Sequence, residues 1–324
     1  MRKILVINRL GIGDVVLTTP LAQLIKENLS ARVGFVVAAK AADLLVHQPY
    51  IDDVFSYKSK SVKTLIKQIK ELGYNEAVIV DGRLTSTFLA FRAGCQLRNK
   101  GYGITIGKKR LFSPKPHARR AILDYASYIE YLQPNIHFDN LSPVIGKLDV
   151  ATYQKIDEWF NNQSFGAKTV LIVSQGLTEN KNWTQAGFSQ VTQGLNQQDI
   201  IPIYVGSREN EAYINQIVGE KVSIAGQFSL RELAYIATKA DLCITICSGP
   251  MHVIATAKIP IIALYGPTSP ERWAPSHAQV LKSKLSCVPC ETLACTHTVP
   301  NYCMQEITPA MVLAAVGKQL KLEV

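Results

Sequence analysis

The sequence predicts an α/β fold made of two Rossmann-like domains, each a parallel sheet wrapped by helices. The chain has 324 residues, about twice the length of a typical single domain. Short apolar runs alternate with segments of helical periodicity in both halves, and a polar stretch separates the halves. Alternation of this kind with short connections is typical of a parallel sheet covered by helices.

The first half begins with a strand, a glycine-rich turn and a helix. Lys3–Asn8 is a short apolar strand run, Leu10–Gly13 forms the turn, and apolar residues at helical spacing follow over Asp14–Asn28. The same patterns indicate three further elements, which are the strand Arg32–Ala38, the helix Ser61–Leu72 and the strand Glu76–Val80.

A linker-like region separates the halves. Asn135–Leu148 is rich in Pro, Asn and Gly, and after a helical segment at Tyr153–Asn161 comes the polar run NNQSFGAK. A second series then follows, with strands at Thr169–Ser174, Ile201–Val205, Asp241–Ile246 and Ile259–Leu264 and helices at Gln185–Gln197, Glu209–Val218, Leu230–Thr238 and His252–Ala257. We predict domains at residues 1–164 and 165–324, with a last helix that packs back on the N-terminal domain. Two such domains facing each other across a cleft bind ligands at the carboxyl ends of their strands.

Charge is distributed unevenly along the chain. Residues 1–120 contain 21 basic and 8 acidic side chains, whereas residues 121–324 contain 14 and 17. Between Asp81 and Asp124 there is no carboxylate, while ten cations fall in that window: Arg83, Arg92, Arg98, Lys100, Lys108, Lys109, Arg110, Lys115, Arg119 and Arg120. Such cations repel one another unless a polyanion such as phosphate, nucleic acid or anionic lipid lies among them. The alternative is a solvated surface with a chance gap in acids.

Composition indicates a globular, cytoplasmic protein. With 47% apolar and 19% charged residues, disordered and collagen-like classes are excluded. The chain shows no run of roughly 18–20 apolar residues that would span a membrane, and its first ten residues are too short an apolar run for a signal peptide. Seven cysteines, an odd number, do not resemble a secreted disulfide framework.

The first turn argues against a dinucleotide cofactor. A dinucleotide fingerprint requires a third glycine at position 16, where the chain has Val16, and an acidic residue at the end of the second strand, where Ala38, Ala39 and Lys40 stand. The turn instead places the carboxylate of Asp14 at the start of a helix, beside exposed amides. Asp14 is either a first-turn capping acid or a general base that points into the interdomain cleft.

The second half contains a candidate diphosphate site. Ser248-Gly249-Pro250-Met251-His252 follows a strand and opens a helix, whose amides and partial positive charge suit a diphosphate. Lys181, in the loop after the strand TVLIVS, would add a point charge at the same end of the sheet. The alternatives are an ordinary serine cap with a buried histidine and a solvated lysine. Glu209 and Glu211 follow another strand, where they offer a carboxylate to ribose or act as first-turn acids.

Four cysteines near the end of the chain form a candidate metal site. Cys287, Cys290, Cys295 and Cys303 are spaced closely enough for one tetrahedral thiolate site. Such a set suits a structural Zn²⁺ and, less well, an iron–sulfur cluster; the alternative is free or oxidised thiols. Four protein ligands leave no open position for a substrate, so neither interpretation makes this segment catalytic.

The motifs together resemble a known family. GDVVLTTP at Gly13–Pro20, the K-x-W of Lys181–Trp183, FSLRELAYI at Phe228–Ile236 and the long stretch Ser248–Trp273 are similar to the bacterial heptosyltransferases of lipopolysaccharide core synthesis, glycosyltransferase family 9. The cysteine-containing tail is similar to one found in a subset of that family. The resemblance implies a GT-B architecture, with a sugar acceptor on the first domain and ADP-heptose on the second.

The resemblance also assigns roles to residues. Asp14 matches the proposed catalytic base and Gly13 lines the same turn. The donor-binding set is then Gly13, Lys181 at the phosphates, Glu209 or Glu211 at the ribose, Phe228 at the adenine, and Cys247, Ser248, Gly249 and His252 at the diphosphate and sugar. Many family members have Asp where this chain has Cys247, and a thiol cannot replace a charged hydrogen-bond acceptor. This departure raises the alternative of another nucleotide sugar.

The resulting prediction is an inverting glycosyltransferase that moves a heptose from ADP-heptose to an acidic lipopolysaccharide-core glycolipid. The basic acceptor-binding set lies on the first domain, at the inner face of the cytoplasmic membrane, and comprises Arg83, Lys108, Lys109, Arg110, Arg119 and Arg120. No essential catalytic cofactor and no nucleic-acid partner are expected. The expected metal is the structural Zn²⁺ at the four cysteines. The rival class is a non-catalytic polyanion-binding protein; an NAD oxidoreductase is disfavoured by Val16.

Overall fold

The computed structural model describes residues 1–57, 61–99, 120–163, 168–218, 223–292, 295 and 297–322, together with the backbone of 105–106 and 109–110. The chain divides into two compact units, Met1–Lys147 and Leu148–Val324. None of the helices in these ranges has both the length and the apolar character needed to cross a bilayer.

The first unit is built around a five-stranded parallel sheet in the order β3-β2-β1-β4-β5. Its elements are, in chain order, β1 (Lys3–Asn8), α1 (Ile12–Leu29), β2 (Arg32–Ala38), α2 (Ala39–Ala42), β3 (Asp53–Tyr57), α3 (Val62–Glu71), β4 (Glu76–Ile79), α4 (Leu84–Arg92), β5 (Gln96–Leu97), β6 (Thr105–Ile106), β7 (Lys109–Arg110) and α5 (Ala121–Ala126). Consecutive residues Ile4 to Ile7 of β1 are all fully buried. This is the burial expected of a central parallel strand covered on both faces.

The second unit repeats this plan with a parallel sheet in the order β12-β11-β10-β8-β9. Its elements are α6 (Val150–Asn162), β8 (Lys168–Val173), α7 (Gln185–Asn196), β9 (Ile200–Val205), α8 (Glu211–Val218), α9 (Leu230–Ala237), β10 (Leu242–Ile246), α10 (Gly249–Ile254), β11 (Ile261–Tyr265), α11 (Pro270–Trp273), β12 (Ala278–Lys282), α12 (Tyr302–Gln305) and α13 (Pro309–Leu320). Alternate residues of β8 and β10 enter two separate cores, one on each face of the sheet.

The division between the units differs from the predicted one after residue 164. The structure places it between Lys147 and Leu148, so that α6 belongs to the second unit. Ile156 of α6 is fully buried in the core shared with α9 and α10, and Tyr235 of α9 donates its hydroxyl to Asp157 at 2.9 Å. The last helix, α13, also differs from the prediction, since it packs in the second unit, where Val312 and Val316 enter the core on the α7 side of the sheet.

Several described elements have no counterpart in the sequence prediction, among them β3, α4 and β12. Strand β3 buries only Phe55 among its five residues, and β12 has no fully buried residue, so both edge strands lack an apolar run. Helix α4 carries large apolar residues on its exposed face as well as its buried face, which obscures the helical periodicity. Edge position and two-sided hydrophobicity therefore account for these three omissions.

Candidate functional site

Asp14 lies in the first turn of α1, directly after the carboxyl end of β1. The half-buried carboxylate accepts the backbone N–H of Gly11 on Oδ2 at 3.1 Å and the hydroxyl of Tyr125 on Oδ1 at 2.5 Å. The first contact is the carboxylate half of a capping box, so the capping interpretation applies. The second contact joins residues 111 positions apart along the chain, and no periodic pattern predicts it. Gly13 is buried in the same turn.

Buried polar side chains hold the backbone of this turn in place. Asn8 donates its amide to the carbonyl of Asp14 at 3.3 Å and to Oγ1 of Thr18 at 2.7 Å, and Thr18 donates to the same carbonyl at 2.7 Å. Asn8 and Thr18 are fully buried. These hydrogen bonds fix the backbone of the turn and thereby the position of the Asp14 carboxylate.

An ion pair that the sequence prediction missed joins the ends of β1 and β4. Arg9 and Asp81 follow these neighbouring strands, with Nε and Oδ2 3.2 Å apart and side chains 4% and 0% exposed. Ser86 accepts from Arg9 at 2.8 Å and donates to Asp81 at 2.7 Å, which satisfies the pair further. Removing one partner of such a pair costs about 3–5 kcal/mol. The signal in the sequence was the pair of opposite charges placed immediately after two buried strands.

The predicted acceptor residues are described only in part. Arg83 is exposed at the start of α4, and its N–H donates to Asp81 at 3.0 Å; Arg120 is half-buried at the start of α5, the helix that carries Tyr125. Arg83 therefore contacts the Arg9–Asp81 ion pair, and Arg120 lies next to the helix that contacts Asp14. The backbone of Lys109 and Arg110 forms β7, which pairs with β6, while Lys108 and Arg119 lie outside the described residues.

In the second unit, Lys181 and the start of α10 lie together at the carboxyl end of the sheet. Strands β8 and β10 are neighbours, and a Cβ placed on Gly176, in the loop after β8, would lie 3.7 Å from Cβ of Ser248. Burial, and to a smaller extent the charge of Lys181, lowers the pKa of His252 to about 4. The structure thus brings together two sequence-distant motifs that the prediction assigned to one site.

Cys247 and Ser248 form the turn between β10 and α10. Burial raises the pKa of the Cys247 thiol, the charge of Lys181 lowers it, and Glu291 raises it again. Ser248 caps α10 by accepting the N–H of Met251 at 3.4 Å. Because Pro250 has no N–H and Ser248 already accepts that of Met251, the first-turn amide left for an anion is that of Gly249.

Buried polar atoms without partners mark the same edge of the sheet. Within the described ranges, Ser174 Oγ, Asn180 Oδ1 and Thr268 Oγ1 are buried and have no hydrogen bond of normal geometry, although Thr268 faces the thiol of Cys247. Ser174 and Asn180 follow β8, and Thr268 follows β11. Buried oxygens of this kind are rarely left unsatisfied, so their clustering indicates a place for a polar ligand.

Glu209 and Phe228 lie on adjacent segments beyond β9. Exposed Glu209 belongs to a single 3₁₀ turn, and a hydrogen bond with Ser207 lowers its pKa. Gly226 donates to the carbonyl of Gly206 at 3.0 Å, which places the segment before Phe228 beside this turn. Half-buried Phe228 packs edge-on against Trp159, with ring centroids 5.1 Å apart. Exposed Glu211 starts α8 on the same connection.

Residues 287–292, the described start of the cysteine segment (residues 287–303), border this edge and supply a carboxylate that the sequence prediction missed. Glu291 donates its N–H to the carbonyl of Pro267 at 2.8 Å and accepts the N–H of Ser269 at 2.9 Å, both in the loop after β11. On the other side, Asn180 donates to the carbonyl of Thr292 at 2.7 Å. Because β8 and β11 flank β10, residues 291–292 cross the end of β10.

The four cysteines themselves are free thiols. Cys303 is buried, Cys295 half-buried, and Cys287 and Cys290 exposed. Burial raises the pKa of Cys303, and the charges of the other three thiols raise it further. Within the described ranges no cluster of three or more His, Cys, Asp or Glu side chains is placed to hold a metal ion.

The sequence of this chain matches an established family over most of its length. The model of glycosyltransferase family 9 (heptosyltransferase) matches residues 62–299. The chain belongs to glycosyltransferase family 9. This confirms the resemblance inferred from the motifs and identifies the protein as a glycosyltransferase.

Members of family 9 are similar to this chain from end to end. Lipooligosaccharide heptosyltransferase 2 of Campylobacter jejuni is 24% identical over 329 residues, which cover 96% of each chain. A family 9 glycosyltransferase structure from Veillonella parvula superimposes with a TM-score of 0.81 at 18% identity, covering 99% of this chain and 98% of the other. The structure of Escherichia coli ADP-heptose lps heptosyltransferase II has a TM-score of 0.78, 18% identity and 98% coverage of both chains. The predicted α/β fold with two parallel sheets, the GT-B architecture of these family 9 structures, is confirmed.

Proposed function

We propose that this family 9 glycosyltransferase transfers a heptose, with inversion, from ADP-heptose to an acidic lipopolysaccharide-core glycolipid. The observation that carries the proposal is the convergence of Lys181, the start of α10 and the buried oxygens of Ser174, Asn180 and Thr268 at the carboxyl end of the second sheet. A cation, a helix amide and buried polar oxygens together suit a sugar diphosphate. The names of the related proteins, which include ADP-heptose and lipooligosaccharide, favour this donor and acceptor.

The proposed reaction is a single displacement. An acceptor hydroxyl attacks C1 of the heptose while the bond between C1 and the diphosphate oxygen breaks, and Asp14 takes the hydroxyl proton. Lys181 and the first-turn amide of Gly249 stabilise the negative charge that develops on the departing ADP. Glu209 binds the ribose and Phe228 the adenine. These cationic and amide donors neutralise the leaving group, so the scheme requires no catalytic metal.

We assign the acceptor to the first unit because the basic residues of that unit lie in the segments that come after the turn of Asp14 in the chain. We propose that Arg83 and Arg120, with Lys108, Lys109, Arg110 and Arg119, bind acidic groups of the glycolipid at the inner face of the cytoplasmic membrane. Arg83 is exposed at the carboxyl edge of the first sheet, where an anion can reach it.

A donor screen tests this function directly. We expect ADP-heptose at about 100 times its Kd to stabilise the protein by about 2.7 kcal/mol, measured as a rise in the thermal unfolding midpoint, and UDP- and GDP-sugars to give no such rise. Selective stabilisation by another nucleotide sugar would favour the related transferase that Cys247 suggests. Salt-sensitive DNA binding without any nucleotide-sugar effect would favour the polyanion-binding rival.

We also propose a structural Zn²⁺ at Cys287, Cys290, Cys295 and Cys303. Burial is the main cause of the raised pKa of Cys303, and the charges of the other three thiols add to it, so the four thiols lie near one another. Their number and chemistry suit one Zn²⁺, which binds thiolates and so couples metal binding to their deprotonation. Elemental analysis of protein purified without chelator or metal-affinity resin is expected to give one zinc per chain. A Cys303→Ser variant should lose that zinc and Cys95→Ser, at a buried cysteine elsewhere, should retain it; metal-free wild-type protein would contradict the proposal.

A further inference from the structure

Helix α4 is apolar on the face that it turns to solvent. Its inner face buries Ser86, Leu89 and Ala90 against the first sheet. On its outer face Leu84, Phe88 and Phe91 are 48%, 60% and 66% exposed. These three residues are spaced i, i+4 and i+7, so they form one continuous stripe along the helix.

The neighbouring helix shows how unusual this stripe is. Helix α3 contacts α4 and packs into the same core through Leu65 and Ile69. Apart from Val62 at its first position, 42% exposed, its outward residues are polar, with Lys63, Lys67 and Lys70 all exposed. A helix on the surface of a globular protein normally has this polar outer face. Three large apolar side chains together on the outer face instead mark an interaction surface.

Positive charge surrounds the stripe. Exposed Arg83 precedes the first residue of α4, and exposed Arg92 ends the helix with its guanidinium 5.7 Å from the ring centre of Phe88. The helix lies within residues 82–123, which contain no carboxylate. An apolar stripe with a basic rim matches a bilayer interface that carries anionic headgroups, where apolar side chains enter the acyl boundary and cations meet phosphates.

We propose that α4 docks this protein on an anionic lipid bilayer, with Leu84, Phe88 and Phe91 inserted at the headgroup–acyl boundary and Arg83 and Arg92 on lipid phosphates. The stripe runs parallel to the helix axis, so α4 lies flat on the surface. The helix begins at the same edge of the first sheet as the turn of Asp14. Docking through α4 therefore holds that edge close to lipid, whatever sugar the enzyme transfers.

Vesicle sedimentation tests the docking surface without acceptor or donor. The probe is a vesicle of phosphatidylglycerol and phosphatidylethanolamine, compared with phosphatidylcholine alone. Wild-type protein is expected to sediment with the anionic vesicles, and the triple variant Leu84→Gln, Phe88→Gln, Phe91→Gln to partition at least tenfold less. Val150→Gln, at a 71% exposed apolar residue of α6, is the matched control and should bind as wild type.

A second pair of variants tests the charge. Arg92 lies in the last turn of α4 and Lys318 in the last turn of α13, and both are exposed. Arg92→Gln should weaken anionic-vesicle binding about fivefold and Lys318→Gln should not. A cooperative thermal unfolding transition is the check that each variant is folded.

Three results would overturn the proposal. One is no sedimentation of wild-type protein with anionic vesicles, and another is equal partitioning of the wild type and the folded triple variant. The third is a triple variant that changes the oligomeric state in sedimentation velocity and leaves vesicle binding intact, since the stripe would then be a contact between copies of this chain.

Discussion

Asp14→Asn is expected to reduce sugar transfer by about 10²–10⁴-fold, the usual contribution of a general base, in protein that still folds. The amide keeps the size of the side chain but cannot take a proton from the acceptor hydroxyl. Initial rates with saturating donor and acceptor measure the effect on kcat. Asp14 uses both carboxylate oxygens as acceptors, from Gly11 and Tyr125, and an amide has only one acceptor oxygen and no charge. The variant should therefore also lose about 0.3–1 kcal/mol of stability, the usual contribution of a negative charge at a helix N-terminus.

The chain offers a matched control for that structural loss. Glu232 occupies the same position of α9 as Asp14 does in α1, and accepts the backbone N–H of Ser229 at 2.6 Å. Glu232→Gln therefore removes a capping-box charge at a helix far along the chain from the turn of Asp14. We expect a similar loss of stability and an unchanged rate of sugar transfer. Equal transfer rates for Asp14→Asn and Glu232→Gln would remove the base assignment.

The double role of Asp14 explains why the two interpretations of this residue could not be separated in the sequence. A capping acid and a base both require a carboxylate in the first turn of a helix. What distinguishes this turn is its support: buried Asn8 and Thr18 hold the backbone and Tyr125 contacts the second carboxylate oxygen. The Tyr125 contact depends on how α5 packs against α1, and no local pattern encodes that packing.

The central strands were predictable because both faces of each sheet are covered. The predicted strand Lys3–Asn8 and strand Arg32–Ala38 match β1 and β2 residue for residue. Asp14 and Ser248 were predictable because a glycine-rich turn ends β1 and a Ser-Gly turn ends β10. In both places a helix begins directly after the parallel strand. Edge strands such as β12 are half-exposed and lack this signal.

The rest of the candidate donor site arises from tertiary contacts. Glu291 sits across the end of β10 because its backbone bonds to the loop after β11, while Thr292 bonds to the loop after β8. Neither residue belongs to a regular element, and the cysteines beside them drew attention to metal binding only. The contacts that position residues 291–292 therefore also place the carboxylate of Glu291 beside Cys247.

Lys181→Met is expected to lower kcat/KM for the nucleotide sugar by about 10–100-fold, through a higher KM and a lower kcat, because a charge-assisted contact contributes about 1.5–3 kcal/mol. Steady-state kinetics with varied donor measure this. Lys168→Met is the matched control, since Lys168 lies at the opposite end of β8 and pairs loosely with Asp241 at 4.0 Å. It should leave kcat/KM for the donor unchanged.

An activity-independent measurement comes from His252. Its pKa in the folded protein is about 4, below the ordinary 6.5, through burial and the charge of Lys181. Between these values the unfolded chain binds a proton that the folded protein does not, so stability is complete above pH 6.5 and falls, by up to about 3 kcal/mol, as the pH decreases toward 4.

Removing the charge of Lys181 should raise the pKa of His252 while burial, the larger cause, keeps it below 6.5. Wild type and Lys181→Met are compared by NMR titration of the imidazole and by unfolding midpoints between pH 7 and 4.5. The variant should lose less stability on acidification than wild type. If Lys181→Met matched wild type in kcat/KM for the donor, in the pKa of His252 and in the pH profile, Lys181 would not act beside α10 and the donor site proposed here would be wrong.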